Sequence, residues 1–131
     1  MSNLSREQIS QIERLLRERQ RALRDEIRDG LLKSGQAHHK DMAGMVSDAG
    51  DESVANMLED IEIAEVERDI RDLREVENAL ARIGRDDFGA CADCGEPVGL
   101  PRLLANPAAV RCITCQGKRE RGYAHGGTPT L

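Results

Sequence analysis

Apolar residues recur on one face of two separated stretches. From about Ser5 to Lys33 they fall at Ile9, Ile12, Leu16, Leu23, Ile27 and Leu31. The gaps of 3, 4, 7, 4 and 4 describe a single helical stripe with one polar interruption at Arg19. Ser5 followed by Gln8 predicts a capping box at its start. A second stripe, Leu58, Ile61, Val66, Ile70, Leu73, Val76, Leu80 and Ile83, predicts a helix from about Ser53 to Ile83 with a mean step close to 3.6. Gly30, Gly35, Gly44 and Gly50 interrupt the intervening pattern, and His38-His39 reads as part of a polar connection. Two long helices with narrow stripes on either side of a bend predict an antiparallel hairpin in which each stripe buries the other. An arm of roughly 26 residues would project about 40 Å at 1.5 Å per residue.

Charge adds a distinction between the arm and its bend. The first helix carries seven Arg against six acids, a mixture that supports a solvated surface through i,i+3 and i,i+4 pairs. Residues 41–60 instead hold six acids and no Lys or Arg, so the bend predicts an acidic tip at the far end of the rod. Asp51 or Ser53 is also a natural N-cap for the second helix, and one residue can serve capping and function together. With one Phe, one Tyr and no Trp in 131 residues, the chain lacks the material of a large globular core. Neither an apolar leader nor a membrane-length run is present, so a soluble, cytoplasmic monomer is expected. A net charge of −5 argues against a general nucleic-acid binder.

The chemistry lies behind the second helix. Cys91-Ala-Asp-Cys94 and Cys112-Ile-Thr-Cys115 are two knuckles separated by 17 residues. Inward-pointing amides in such turns let two sulfurs reach one ion, and two knuckles supply the all-thiolate set of a closed structural zinc site. A disulfide framework would need an oxidising compartment, and a thioredoxin-like pair would need a βαβ context. One structural Zn2+ per chain is therefore expected. The predicted organisation is a hairpin over residues 1–87, a zinc-finger module over 88–121 with a short C-terminal helix, and a flexible tail over 122–131. The fold class is all-α and elongated. There is no phosphate loop, no nucleophile–base set and no open metal position, so an enzyme is not expected.

Several segments together resemble the DksA/TraR group of bacterial transcription factors. They are Asp48-Ala-Gly-Asp51-Glu-Ser53, Asp87-Phe-Gly-Ala-Cys91-Ala-Asp-Cys94-Gly95, Leu100-Pro-Arg102-Leu103 and Cys112-Ile-Thr-Cys115. The likeness runs from about residue 5 to 121 and is most specific in the finger. It implies direct binding to RNA polymerase with no sequence-specific DNA binding, through a coiled coil that enters the secondary channel and places tip aspartates near the catalytic centre. Promoter choice then changes through open-complex stability, commonly together with the alarmone ppGpp in the stringent response. By this resemblance Asp51 is the main tip carboxylate, Asp48 supports it, and Ser53 stands where the family usually has alanine. Arg102 matches a family arginine and is a candidate polymerase or structural contact. The connection before Asp48 is a few residues longer than the family pattern. Glu75, Asn106 and Gln116 occupy positions where the family carries basic residues for ppGpp, so alarmone binding there is not expected. Two alternatives remain: a paralogue with altered or lost transcriptional effect, and an unrelated zinc-stapled coiled-coil adaptor whose acidic tip meets a basic partner.

Overall fold

A computed structural model of the chain describes residues 4–126, with side chains through Gly122. Six helices follow one another: α1 (Arg6–Lys33), α2 (Ala37–Ser47), α3 (Val54–Met57), α4 (Ala64–Arg82), α5 (Leu100–Ala105) and α6 (Ile113–Gly126). The only pairing of extended backbone among the described residues is an isolated bridge between Ala90 and Pro97. No described helix is long and apolar enough to cross a membrane.

The first helix forms as its sequence predicts. Ser5 Oγ accepts from the Gln8 amide at 3.1 Å, and Gln8 Oε1 accepts from the Ser5 amide at 2.9 Å, completing the capping box. Ile12, Leu16, Leu23, Ile27 and Leu31 are buried. They face α4, whose Val66, Ile70, Leu73, Val76 and Ala79 are buried in turn. The two helices run antiparallel, with Gly30 against Val66: a Cβ added to Gly30 would lie 2.6 Å from Val66 Cγ2. The missing side chain lets the helices close at their far end.

Between them the course differs from the expected hairpin. The predicted second helix is broken: α3 stops at Met57, residues 58–63 leave the helix, and α4 begins at Ala64. A mean step of 3.6 conceals the five-residue gap from Ile61 to Val66, which on a continuous helix separates them by about 140°. Leaving the helix lets Leu58 and Ile61 remain buried, at 1% and 6% exposure. The predicted polar connection also contains a helix. After a turn at Gly35 (φ 74°), α2 reverses and packs along α1 through Ala43 and Val46. Gly30 and Gly44 lie inside helices, whereas Gly35 and Gly50 (φ 57°) make the turns. His38 and His39 open α2, and Ser34 Oγ lies 2.6 Å from His39 Nδ1.

Asp48, Asp51 and Glu52 consequently do not sit at the far end of the rod. Arg24, well inside α1, donates to Gly50 O at 2.8 Å and Glu52 O at 3.0 Å. From α4, Glu77 accepts from Ser53 Oγ at 2.7 Å and from the Val54 amide at 2.9 Å, and Arg74 donates to Asn56 Oδ1 at 2.7 Å. These bonds hold residues 50–56 against the middle of the α1–α4 pair. At the other end α5 touches α1 and places the finger at the base of the hairpin. Helix α6 continues through Gly126, so residues 122–126 extend a helix where a flexible tail was expected. The rest of that tail, 127–131, lies outside the described residues.

The Gly30–Val66 contact yields a stability test. Gly30→Ala gains about 1 kcal/mol of helix propensity but introduces a Cβ into a closed contact, and overpacking of this kind costs about 1–3 kcal/mol. The single variant should lower the urea midpoint, and Gly30→Ala with Val66→Ala should recover part of that loss. Additive effects in the double variant would show that the two positions do not oppose each other.

Candidate metal centre and its surroundings

The first knuckle is built on a tight turn. Cys91 N donates to Glu96 O at 2.7 Å, Gly95 N returns to Cys91 O at 3.0 Å, and Val98 N donates to Gly89 O at 2.8 Å. Gly89 and Gly95 adopt φ of 92° and 79°, the region where a side chain is strained. The second knuckle stands at the start of α6. Cys112 precedes its first turn, and the Cys115 amide lies 3.5 Å from Cys112 Sγ. Amides at a helix start favour a thiolate there.

The four sulfurs lie within 4.8 Å of one another, and Cys94 Sγ is 3.8 Å from Cys112 Sγ. Four thiolates at about 2.3 Å around a tetrahedral ion lie about 3.8 Å apart, so the spacing suits zinc. Cys91 is buried, Cys112 and Cys115 are half-buried and Cys94 is exposed; all four are unpaired thiols. Their acidities diverge. Burial raises the Cys91 thiol, but amide hydrogen bonds, from Cys112 first and then Cys94 and Asp93, outweigh it and bring the group down to about 6. Hydrogen bonding with Cys112 and then Cys94 pushes Cys115 up to about 12. Without a cation the cluster keeps protons to bridge its sulfurs. A divalent ion replaces them and lets all four ionise.

Two polar contacts brace the segments around the cysteines. Arg111 Nε donates to Asp93 Oδ2 at 2.9 Å, tying the residue before the second knuckle to the interior of the first. Arg102 Nε donates to Arg111 O at 2.8 Å, which makes Arg102 a brace for the same segment. The sequence signal was a carboxylate inside one knuckle and an arginine flanking the other. Phe88 is buried beneath the finger, with the Arg82 guanidinium 5.9 Å from its ring centroid.

The other predicted residues fall into two groups. Asp48 caps the C-terminal end of α2 and is exposed. Asp51 is exposed beside a cleft of about 430 Å³ shared with Arg17, Ser53, Arg74 and Glu77. Ser53, and not Asp51, is the N-cap of α3, its hydroxyl accepting from the Asn56 amide at 3.0 Å. Glu75, Asn106 and Gln116 converge on a second cleft of about 440 Å³ between α4 and the finger, together with Arg102 and Arg111.

A zinc knuckle pair seated at the base of an antiparallel helical pair defines a small helical protein with a C4 finger. Residues 86–121 match the prokaryotic dksA/traR C4-type zinc finger. The chain is 29% identical over 113 residues to the RNA polymerase-binding transcription factor DksA of Salmonella typhimurium, covering 86% of this chain and 72% of that protein. It is 28% identical to the protein of the same name from Escherichia coli K12 over the same shares. The solved structure of transcription factor DksA2 from Pseudomonas aeruginosa aligns at 27% identity over 86% of this chain and 98% of that one. Its TM-score is 0.43, a superposition too loose to add to the sequence likeness. Its finger is of the dksA/traR C4 type, the chain is similar to DksA proteins over 86% of its length, and its four cysteines form the site of one structural zinc.

Zinc binding should be the main support of the finger, since comparable sites in finger peptides are worth about 10–16 kcal/mol. Cys→Ser at any of the four positions should drop bound zinc below half an equivalent and unfold residues 88–121 while α1 and α4 stay helical. Zinc added to reduced, metal-free chain at pH 7 should release close to four protons, because the thiols of a disordered finger keep their ordinary acidity of about 8.5 and are almost all protonated there. Release of clearly fewer protons would contradict the disorder of the metal-free finger.

Proposed function

We propose that this chain is a transcription regulator that binds RNA polymerase. Asp48 and Asp51 are its effector carboxylates, delivered through the secondary channel toward the catalytic centre. Zinc acts as a staple and takes no chemical part. The relatives' names supply the partner, since each is called an RNA polymerase-binding transcription factor. The observation that carries the choice of residues is the contrast along one short segment. Gly50, Glu52, Ser53 and Asn56 are bonded to α1 or α4, or in Asn56's case to both Ser53 and Arg74. The Asp48 and Asp51 carboxylates stay exposed and form no side-chain bond among the described residues. A pinned backbone that leaves its acids free suits delivery of charge to a basic or metal-bearing recess.

A second reading is favoured by the position of those acids. In this conformation they lie beside the stalk and not at its end, which fits a paralogue whose effect on initiation differs from that of its relatives. The cleft at the finger points the same way for ppGpp. Its rim carries the Glu75 carboxylate and the neutral Asn106 and Gln116, and Gln116 Nε2 is engaged with Glu120 at 2.9 Å. The nearby Arg102 and Arg111 are both committed through Nε. Charge-assisted bonds to phosphate are each worth roughly 1.5–3 kcal/mol, so replacing three cations removes most of such a site.

Asp51→Asn tests the assignment without touching a cap. It should abolish the effect on a ribosomal RNA promoter in vitro and shift stability by less than about 0.5 kcal/mol, as expected of an exposed side chain without partners. Asp48→Asn should act more weakly in the same direction. Full transcriptional activity in both variants would remove the carboxylates from the mechanism. In the same assay, with polymerase lacking its own alarmone site, added ppGpp should leave the wild-type effect unchanged. A dose-dependent gain would instead place cations from Arg102, Arg111 or Lys118 at the cleft.

A further inference from the structure

We propose that the arm is a jackknife. Residues 34–63 fold back on the α1–α4 stalk here, and swing out about two hinges into a long hairpin that carries Asp48 and Asp51 to its end. The hinges are the turn at Gly35 and the break at 58–63, and both lie at the same end of the stalk. The apolar stripes run through each of them. On a helix continued from α1, Met42, Val46 and Ala49 stay within about 100° of Ile27 around the axis. On a helix continued backward from α4, Leu58 falls at nearly the same angle as Val76, about five turns away. No proline lies between residues 34 and 63 to forbid either continuation. Val46 and Ala49 thus serve two arrangements, whereas Ala43, about 160° from Ile27 on such a helix, is suited only to the folded one. Folded back, Ala43 and Val46 are buried along α1; opened, α2 and residues 54–63 would cover one another.

The folded state is held by a polar latch. Arg24 reaches Gly50 O and Glu52 O, Arg74 reaches Asn56, and Glu77 takes both the Ser53 hydroxyl and the Val54 amide. Ser53 stands where the resemblance led us to expect alanine, and its hydroxyl is the donor that Glu77 accepts at 2.7 Å. All of these bonds join side chains of the stalk to the folded-back segment, so opening breaks them together. Linking the opened form to polymerase rests on the function proposed above, but the motion itself needs no partner.

Two substitutions push the hinges in opposite directions. Gly35→Ala strains the folded turn, where φ is 74°, and favours the continuous helix. Ala64→Pro suits the folded form: Ala64 is the first residue of α4, and Ile63 before it is extended at φ −106° and ψ 114°. In the opened form the same proline would interrupt a helix. Small-angle X-ray scattering on the zinc-loaded full chain, without polymerase, reads the outcome. Gly35→Ala and Glu77→Ala should each lengthen the maximum dimension, by about 20 Å for a fully opened arm, the length of the 14 residues from 34 to 47 at 1.5 Å each. Helical circular dichroism should rise at the same time. Adding Ala64→Pro to Gly35→Ala should restore the short dimension. Unchanged dimensions in both opening variants would overturn the proposal, as would lengthening accompanied by loss of helix, which signals local unfolding. If the arm opens as expected yet Asp51→Asn leaves transcription intact, the jackknife stands and the function proposed above fails.

Discussion

Everything in this fold depends on covering one narrow apolar stripe on α1. Its five buried aliphatic residues, Ile12, Leu16, Leu23, Ile27 and Leu31, are the longest run of core in the chain. Each is worth about 1.5–3 kcal/mol when fully removed from water. Helix α4 supplies the main cover, α2 shields another side, and α5 closes the end where the finger sits. With one Phe and no Trp available, no single partner is bulky enough to make a globular core. Side-by-side helices are the solution this composition permits. The elongated form and the central place of α1 both follow from that constraint.

Zinc meets the same shortage at the other end. The finger has Phe88, Val98 and Leu103 as its main buried apolar residues, too little to order the turns between residues 88 and 112 unaided. Four thiolates on one ion close those turns, and Asp93–Arg111 with Arg102 fixes how the knuckles face each other. The base of the protein is thus set by coordination and polar bonds. The stalk is set by apolar contact, and the acidic segment by the hydrogen bonds from Arg24, Arg74 and Glu77.

How much of this could be read from the residues differs by the range of the interaction. The Ser5–Gln8 capping box and the α1 stripe are local, and they formed as the spacing predicted. The cysteine pairs were legible because tetrahedral coordination demands a recognisable spacing. The fold-back was not legible. Helical periodicity records which face is apolar, not which helix covers it, and averaging over eight positions hid the five-residue step at Ile61–Val66. The latch depends on pairs 18 to 28 residues apart, such as Arg74 with Asn56 and Arg24 with Glu52, and no local pattern announces these. Charge alone suggested an acidic end to the rod; the structure carries Asp48, Asp51 and Glu52 on its flank.

The central claim is that α1 and α4 form a persistent stalk on which residues 37–57 are held as a separate, weaker unit. Native-state hydrogen exchange of the zinc-loaded chain measures this directly, because amides that open together share one opening free energy. The amides of 12–31 and 66–79 should exchange slowest. Amides in α2 and α3 should exchange faster and as one group, through an opening that leaves the stalk intact. A single common opening energy for α1, α2 and α4, reached only on global unfolding, would contradict it.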